Sequence, residues 1–201
     1  IEKSSGEWIK LLAGDDLLSI SAIETFIKII NCDTLQEKFA YHGRVKVLYE
    51  DLSTNDFSDE WGDPGSQKFN SDNITTSDQF NILLRFCPVS ATTVLLKKSI
   101  FSSIGQFDER FKYWEDRPMW LKLTSNGIKL HFINKEIATY RRHPDSVQEK
   151  NNKTLFSRTL MSRDEGYKEL ILPFLPCYER QLYNYVIIVR RFFFIIFNNK
   201  R

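Results

Sequence analysis

Cysteine is scarce in this sequence. Cys32, Cys87 and Cys177 are the three in 201 residues, widely spaced and without a C-x-x-C pair. Their number and spacing exclude a disulfide framework and point to a reducing compartment. Glycine and proline are few, eight and six, which excludes a collagen-like or low-complexity chain. No sign of charge dominates: 28 Lys and Arg face 26 Asp and Glu, a formal net charge of +2. A protein that wraps a polyanion needs a large basic excess, so no nucleic-acid partner is expected. A long apolar run is missing as well. A bilayer span needs about 20 mostly apolar residues, and the best candidate, 186–197, carries Arg190 and Arg191 in its middle. The chain opens on Ile1 without a basic-then-apolar leader, and reads as a fragment whose N-terminus lies upstream.

What the sequence does have is core material. Hydrophobic residues make up 42% and aromatics 14%, with 16 Phe, 8 Tyr and 4 Trp, enough to bury a sizeable core in one domain. Residues 7–13 hold Trp8, Ile9, Leu11 and Leu12, a buried-strand pattern that ends in the turn Gly14-Asp15-Asp16. Ile20, Ile23, Ile27 and Ile30 recur at the spacing of one helix face. A second strand is expected over 45–49, and 52–78 reads as a long polar loop. A short helix over 79–86, a strand over 89–96 and a turn-rich connector over 100–111 follow. Residues 117–125 form a helix stopped by Asn126-Gly127, and 128–133 and 137–140 are two short strands. Alternating strands and helices predict an α/β fold with a mixed sheet.

Three clusters could carry chemistry. Asp15 and Asp16, on a turn after a strand, can hold a hard divalent cation through oxygen while leaving room for substrate phosphates. Capping the following helix is the competing role. Glu115 and Asp116 sit among aromatics just before a helix, where partial desolvation raises a carboxylate's affinity for a proton and suits a general base. Capping, or an ion pair with Arg117, competes here. Tyr140-Arg141-Arg142-His143-Pro144-Asp145-Ser146 could meet phosphate oxygens or a metal, or could be a solvated basic loop.

In order, these segments resemble the family 2 glycosyltransferases of GT-A fold. Gly6-Glu7-Trp8-Ile9-Lys10-Leu11-Leu12-Ala13-Gly14-Asp15-Asp16 resembles their "G-x-[YW]-I-x-x-L-D-x-D-D" segment. Ile104-Gly105-Gln106-Phe107-Asp108-Glu109-Arg110-Phe111 resembles "I-G-x-F-D-E-x-F", followed by the pair Glu115-Asp116. Residues 121–133 match "L-x-x-x-G-x-K-x-x-F-I", and 140–146 match "Y-R-x-H-x-x-S". The resemblance covers about residues 1–146 and implies a Rossmann-like mixed sheet flanked by helices. It implies transfer from a nucleotide-diphosphate sugar with a divalent cation, Mg or Mn, and inversion at the anomeric carbon. By the same resemblance Asp15, with Asp16 beside it, holds the metal, and Asp116, with Glu115, takes the acceptor's proton. Arg141 and His143 meet the donor diphosphate, and Trp114 stacks on the acceptor sugar. One position departs: Ala13 stands where the family's first motif Asp belongs. The family's opening nucleotide-binding strands would precede Ile1.

The expected organisation is a catalytic-domain part over 1–150 and a helical C-terminal extension over 151–201. The aromatic, arginine-studded tail suits either a membrane interface or a helix covering the core. The implied function is inverting glycosyl transfer to a glycan or lipid-linked acceptor in surface-polysaccharide synthesis. It would take place in the cytoplasm, peripherally at the inner face of the plasma membrane. Two other readings stand beside it: a truncated or degenerate non-catalytic glycan- or membrane-binding relative, and a sugar nucleotidyltransferase.

Overall fold

The computed structural model describes residues 1–33, 38–49, 54–56, 64–112, 114–142 and 153–198. Among the described residues six strands form one mixed sheet. They are β1 (Trp8–Lys10), β2 (Leu17–Leu18), β3 (Ala40–Tyr49), β4 (Thr54–Asp56), β5 (Leu95–Lys97) and β6 (Leu130–Arg142). Their order is β1-β5-β3-β6-β2, with β4 beside β3. β3 and β6 run parallel down the middle, and every other pairing is antiparallel.

Period-two alternation puts neighbouring residues into different cores. Ala40 and Leu96 face the larger one, with Leu83, Met119, Trp120, Leu123, Leu130 and Ile171. Tyr41 and Leu95 face a smaller one with Ala22, Phe26, Ile133 and Ile137. Helix α1 (Ala22–Cys32) covers that smaller face. The larger core packs against α2 (Pro64–Phe69), α3 (Thr76–Leu83), α4 (Ser99–Ile104), α5 (Asp116–Ser125) and α6 (Lys153–Leu170), and α7 (Cys177–Asn198) follows. A buried amide ties these layers together. Gln79 donates from Nε2 to the Leu130 carbonyl at 2.8 Å and accepts from the Leu130 N–H at 3.0 Å, pinning α3 to the start of β6.

The structure departs from the sequence reading in five places, the first being the strand expected over 89–96, which is a 3₁₀ turn at Ala91–Thr93 followed by β5. Helix α1 forms, but its inner stripe is Ala22 and Phe26, with Ile29 and Ile30 partly covered. Ile20, Ile23 and Ile27 face outward. Both stripes have helical spacing, and periodicity cannot say which one the sheet takes. The polar segment 52–78 is not one loop: it holds β4, α2 and the first turn of α3. Phe69 and Ile74 are buried anchors there. The Thr75 hydroxyl caps α3, accepting from the Asp78 N–H at 3.0 Å. The connector over 100–111 contains α4.

The two short strands over 128–140 are a single strand. β6 bulges: Gly43 pairs with Ile133, whereas Arg44 pairs with Glu136 and Val45 with Ala138. The bulge brings β6 close to β3. A Cβ on Gly43 would lie 2.3 Å from the Ile137 side chain and 3.0 Å from the Lys135 carbonyl. Only glycine fits there.

Candidate active site

Chain connectivity brings Asp15 and Asp16 to the ends of the central strands. After β1 the chain turns at Gly14-Asp15 and immediately forms β2, which pairs antiparallel with β6 at Leu17↔Thr139 and Leu18↔Ala138. Asp16 therefore lies beside the end of β6, where its Oδ1 accepts from the Arg141 N–H at 3.0 Å. The carboxylate is buried, and its Oδ2 has no partner among the described residues. Burial raises the Asp16 pKa, and the Arg141 N–H opposes that rise. Lys10, on β1, donates to the Thr92 carbonyl. Burial lowers its pKa to about 8 against the opposing pull of the Asp16 charge.

The facing wall is helical. Asp116 is the first residue of α5 and Glu115 its N-cap. Asp116 Oδ1 accepts from the N–H of the next residue, Arg117, at 2.7 Å. Burial raises the Asp116 pKa and also that of Glu115, to which the Asp116 charge adds. Arg117 itself is buried. Its Nε donates to the Leu83 carbonyl at 2.7 Å and its Nη1 to the Tyr167 hydroxyl. The guanidinium lies 4.8 Å from the Tyr167 ring centre.

Tyr167 belongs to a column of rings that fastens α6 and α7 over α5. Trp114 stacks on Tyr167 at 5.3 Å, and Tyr167 stacks on Tyr183 of α7 at 4.5 Å. Phe111 meets the Trp114 ring edge-on at 6.1 Å. The column exists because position 166 has no side chain: a Cβ there would lie 2.2 Å from Trp114 Cζ3.

Between the two walls is a cleft of about 620 Å³. Ala13, Asp16, Val45 and Tyr140 line it from the sheet, and Trp114, Glu115, Asp116 and Arg117 from the head of α5. Thr159, Leu160, Arg163 and Tyr167 close it from α6, over a floor that includes Cys87 and Thr92. The geometry thus brings together four of the residues singled out in the sequence: Asp16, Glu115, Asp116 and Trp114. Asp15 is half-buried on the turn next to Asp16 and outside the lining. Arg141 meets the site through its backbone, and its side chain is exposed. His143 and Trp61 lie outside the described residues.

Sequence reasoning missed Arg117, Arg163 and Tyr167 as site residues. The available signal was the Thr159, Arg163, Tyr167 stripe at i, i+4, i+8, one face of α6. Nothing in the sequence said what that face meets.

Whether the residues suit a divalent cation can be tested on the carboxylates. Among the described residues no group of three His, Cys, Asp or Glu could hold a metal on its own. A buried carboxylate oxygen without a partner beside a second carboxylate does fit a cation whose remaining ligands are substrate phosphates and water. Asp15 and Asp16 suit that kind of site.

A mixed sheet flanked by helices, with acidic residues at its strand ends and on a facing helix, is the build of a GT-A-like glycosyltransferase domain. The family model described as "Glycosyltransferase like family 2" matches residues 1–195 of the 201. The chain belongs to this family, and with it to the glycosyltransferases. No curated protein matches the chain. Among the described residues no helix is long and apolar enough to cross a membrane.

Proposed function

We propose that the chain is the acceptor-side and metal-binding part of an inverting transferase that uses a nucleotide-diphosphate sugar. The observation that carries this reading is the cleft itself, on which Asp16 opens from the sheet and Glu115 and Asp116 from the opposite wall. In the proposed step an acceptor hydroxyl attacks the anomeric carbon from the face opposite the diphosphate. A new C–O bond forms, and the bond from the anomeric carbon to the diphosphate oxygen breaks with its electrons going to the diphosphate. The acceptor's proton passes to Asp116, whose burial raises its proton affinity. Glu115 supports it from the adjacent position. Asp15 and Asp16 hold Mg or Mn, which when bound offsets the charge on the departing diphosphate. Arg141, next to cleft residue Tyr140, and His143 meet that diphosphate, and Trp114, which lines the cleft, packs against the acceptor sugar.

The acceptor in this reading is a glycan or a lipid-linked sugar of surface-polysaccharide synthesis, met at the cytoplasmic face of the membrane. Support comes from α7. Tyr178, Leu182, Tyr185, Val186 and Ile188 form an exposed arc, opposite the buried Ile187 and the stacked Tyr183. Co-sedimentation with anionic vesicles, lost on Leu182→Asp, checks this contact.

One observation favours a second reading, a non-catalytic relative: Ala13 lines the cleft where the family motif carries Asp. Calorimetric titration with UDP and GDP in the presence of Mn separates the two. The transferase reading expects Mn-dependent nucleotide binding that Asp15→Ala abolishes. Absence of such binding both by this chain and by a version extended upstream, each shown to be folded, leaves the non-catalytic reading ahead.

A further inference from the structure

The helical wall carries more positive charge than proton transfer needs. Arg117 has two of its donor nitrogens taken, by Leu83 and Tyr167, yet its Nη2 is buried with no partner among the described residues. Arg163, one turn before Tyr167 on α6, lines the same cleft and buries its Nε, also without a partner among the described residues. A buried guanidinium N–H with no acceptor costs free energy that a ligand oxygen would recover. On the same wall, Asp116 Oδ1 accepts from the Arg117 backbone N–H. Both arginines line the same cleft, and a guanidinium matches the oxygens of a phosphate or carboxylate.

We infer that Arg163 and Arg117 form a subsite for an anionic group on the acceptor, a phosphate or a carboxylate. This rests on the transferase reading above. In that reading the donor diphosphate belongs to the sheet wall, with Asp15 and Asp16. The acceptor hydroxyl must come within hydrogen-bond reach of Asp116, and both arginines stand on the wall that carries Asp116. An acceptor lying there presents its charged group to them. The subsite thereby selects acidic or phosphate-bearing acceptors over neutral sugars, and it orients the reacting hydroxyl.

The test is calorimetric titration of the full chain with methyl phosphate, glucuronate and methyl glucoside, without divalent cation, and separately with UDP and Mn. Arg163→Gln is the main variant. Arg163→Lys, which keeps the charge, and a thermal melt guard against misfolding. The subsite expects anion binding by the wild-type chain and a loss of about tenfold or more in Arg163→Gln. It also expects partial recovery in Arg163→Lys and a UDP–Mn affinity unchanged within about twofold. Tighter methyl phosphate would point to a lipid-phosphate acceptor, and tighter glucuronate to an acidic glycan; either supports the subsite. It is overturned if a folded chain binds neither anion or binds methyl glucoside equally well. It is equally overturned if Arg163→Gln leaves anion binding intact, or weakens UDP–Mn in parallel, which would assign the arginines to the donor. A chain that binds the anion through Arg163, when neither it nor the version extended upstream binds nucleotide, overturns only the transferase reading.

Discussion

The two walls of the cleft are built on different principles. The sheet wall holds its carboxylate by main-chain geometry: β2 pairs with β6, and the Arg141 N–H fixes Asp16. The helical wall holds its groups by side-chain packing, through a ring column that runs from Phe111 to Tyr183 and an arginine wedged against it. Main-chain geometry tolerates most side-chain changes, because the N–H donor survives any substitution except proline. Packing does not, because ring contacts are lost or strained by one methyl group. Under the proposed function the sheet wall binds and the helical wall reacts, so variants should separate binding from turnover by wall.

The largest effect expected is on the reactive wall. Asp116→Asn keeps an oxygen that can accept from the Arg117 N–H but cannot take the acceptor's proton. Turnover should fall by about 10²–10⁴-fold, while calorimetry shows UDP–Mn affinity within about twofold of wild type. Parallel loss of both would mean that the walls are not separable.

Gly166→Ala probes the packing itself. Alanine favours a helix over glycine by about 1 kcal/mol. Here, however, the added Cβ meets Trp114, whose ring is already held between Phe111 and Tyr167. Overpacking of this kind costs about 1–3 kcal/mol, so the melting temperature should drop by a few degrees. A melting temperature equal to or above wild type would show that the ring column can yield.

The same contrast explains what was legible in the sequence. Asp15-Asp16 and Glu115-Asp116 are local pairs next to a strand and a helix: adjacency put them in view, and the family resemblance gave them their expected roles. The mixed sheet was readable because β1, β3 and β6 are rich in apolar and β-branched residues. Arg117, Gly166 and Tyr167 act across about fifty positions of chain, and no local pattern encodes such a meeting. The isoleucine stripe of α1 misled for a related reason. Two apolar stripes compete on that helix, and the small Ala22 lets the Phe26 side pack on the sheet. Residues 52–78 looked featureless because their order comes from single anchors, Phe69 and Ile74, rather than from periodic apolar residues.

The scaffold beneath the sheet wall has a pH signature opposite in sign to that of the helical wall's carboxyls. His42, on β3, is buried between Phe69 and Phe132, and burial lowers its pKa to about 3. In the unfolded chain it protonates near the ordinary 6.5. The unfolded state therefore binds more protons between pH 6.5 and about 3, and stability falls as pH falls through that window. His131 shifts the same way, to about 4. The raised carboxyls Asp16, Glu115 and Asp116 act oppositely just above the usual carboxylate range. All four are shared by a His42→Phe variant and cancel in the difference. That variant should lose about 1–2 kcal/mol less than wild type between pH 7 and pH 5, read by urea unfolding at the two pH values.

The smallest effect expected is at Arg141, and it tests the main-chain claim most directly. Arg141→Ala removes an exposed guanidinium but retains the N–H that fixes Asp16. An exposed charge contributes about 1 kcal/mol or less to an ion pair, so UDP–Mn affinity should weaken by about fivefold at most. That loss should shrink further as salt rises and screens the charge. Arg141→Pro, by contrast, deletes the N–H. A variant that stays folded should then release Asp16 and lose Mn-dependent binding well beyond the alanine effect. Equal effects for the two substitutions would put the contribution of Arg141 in its side chain and remove the main-chain basis of the sheet wall.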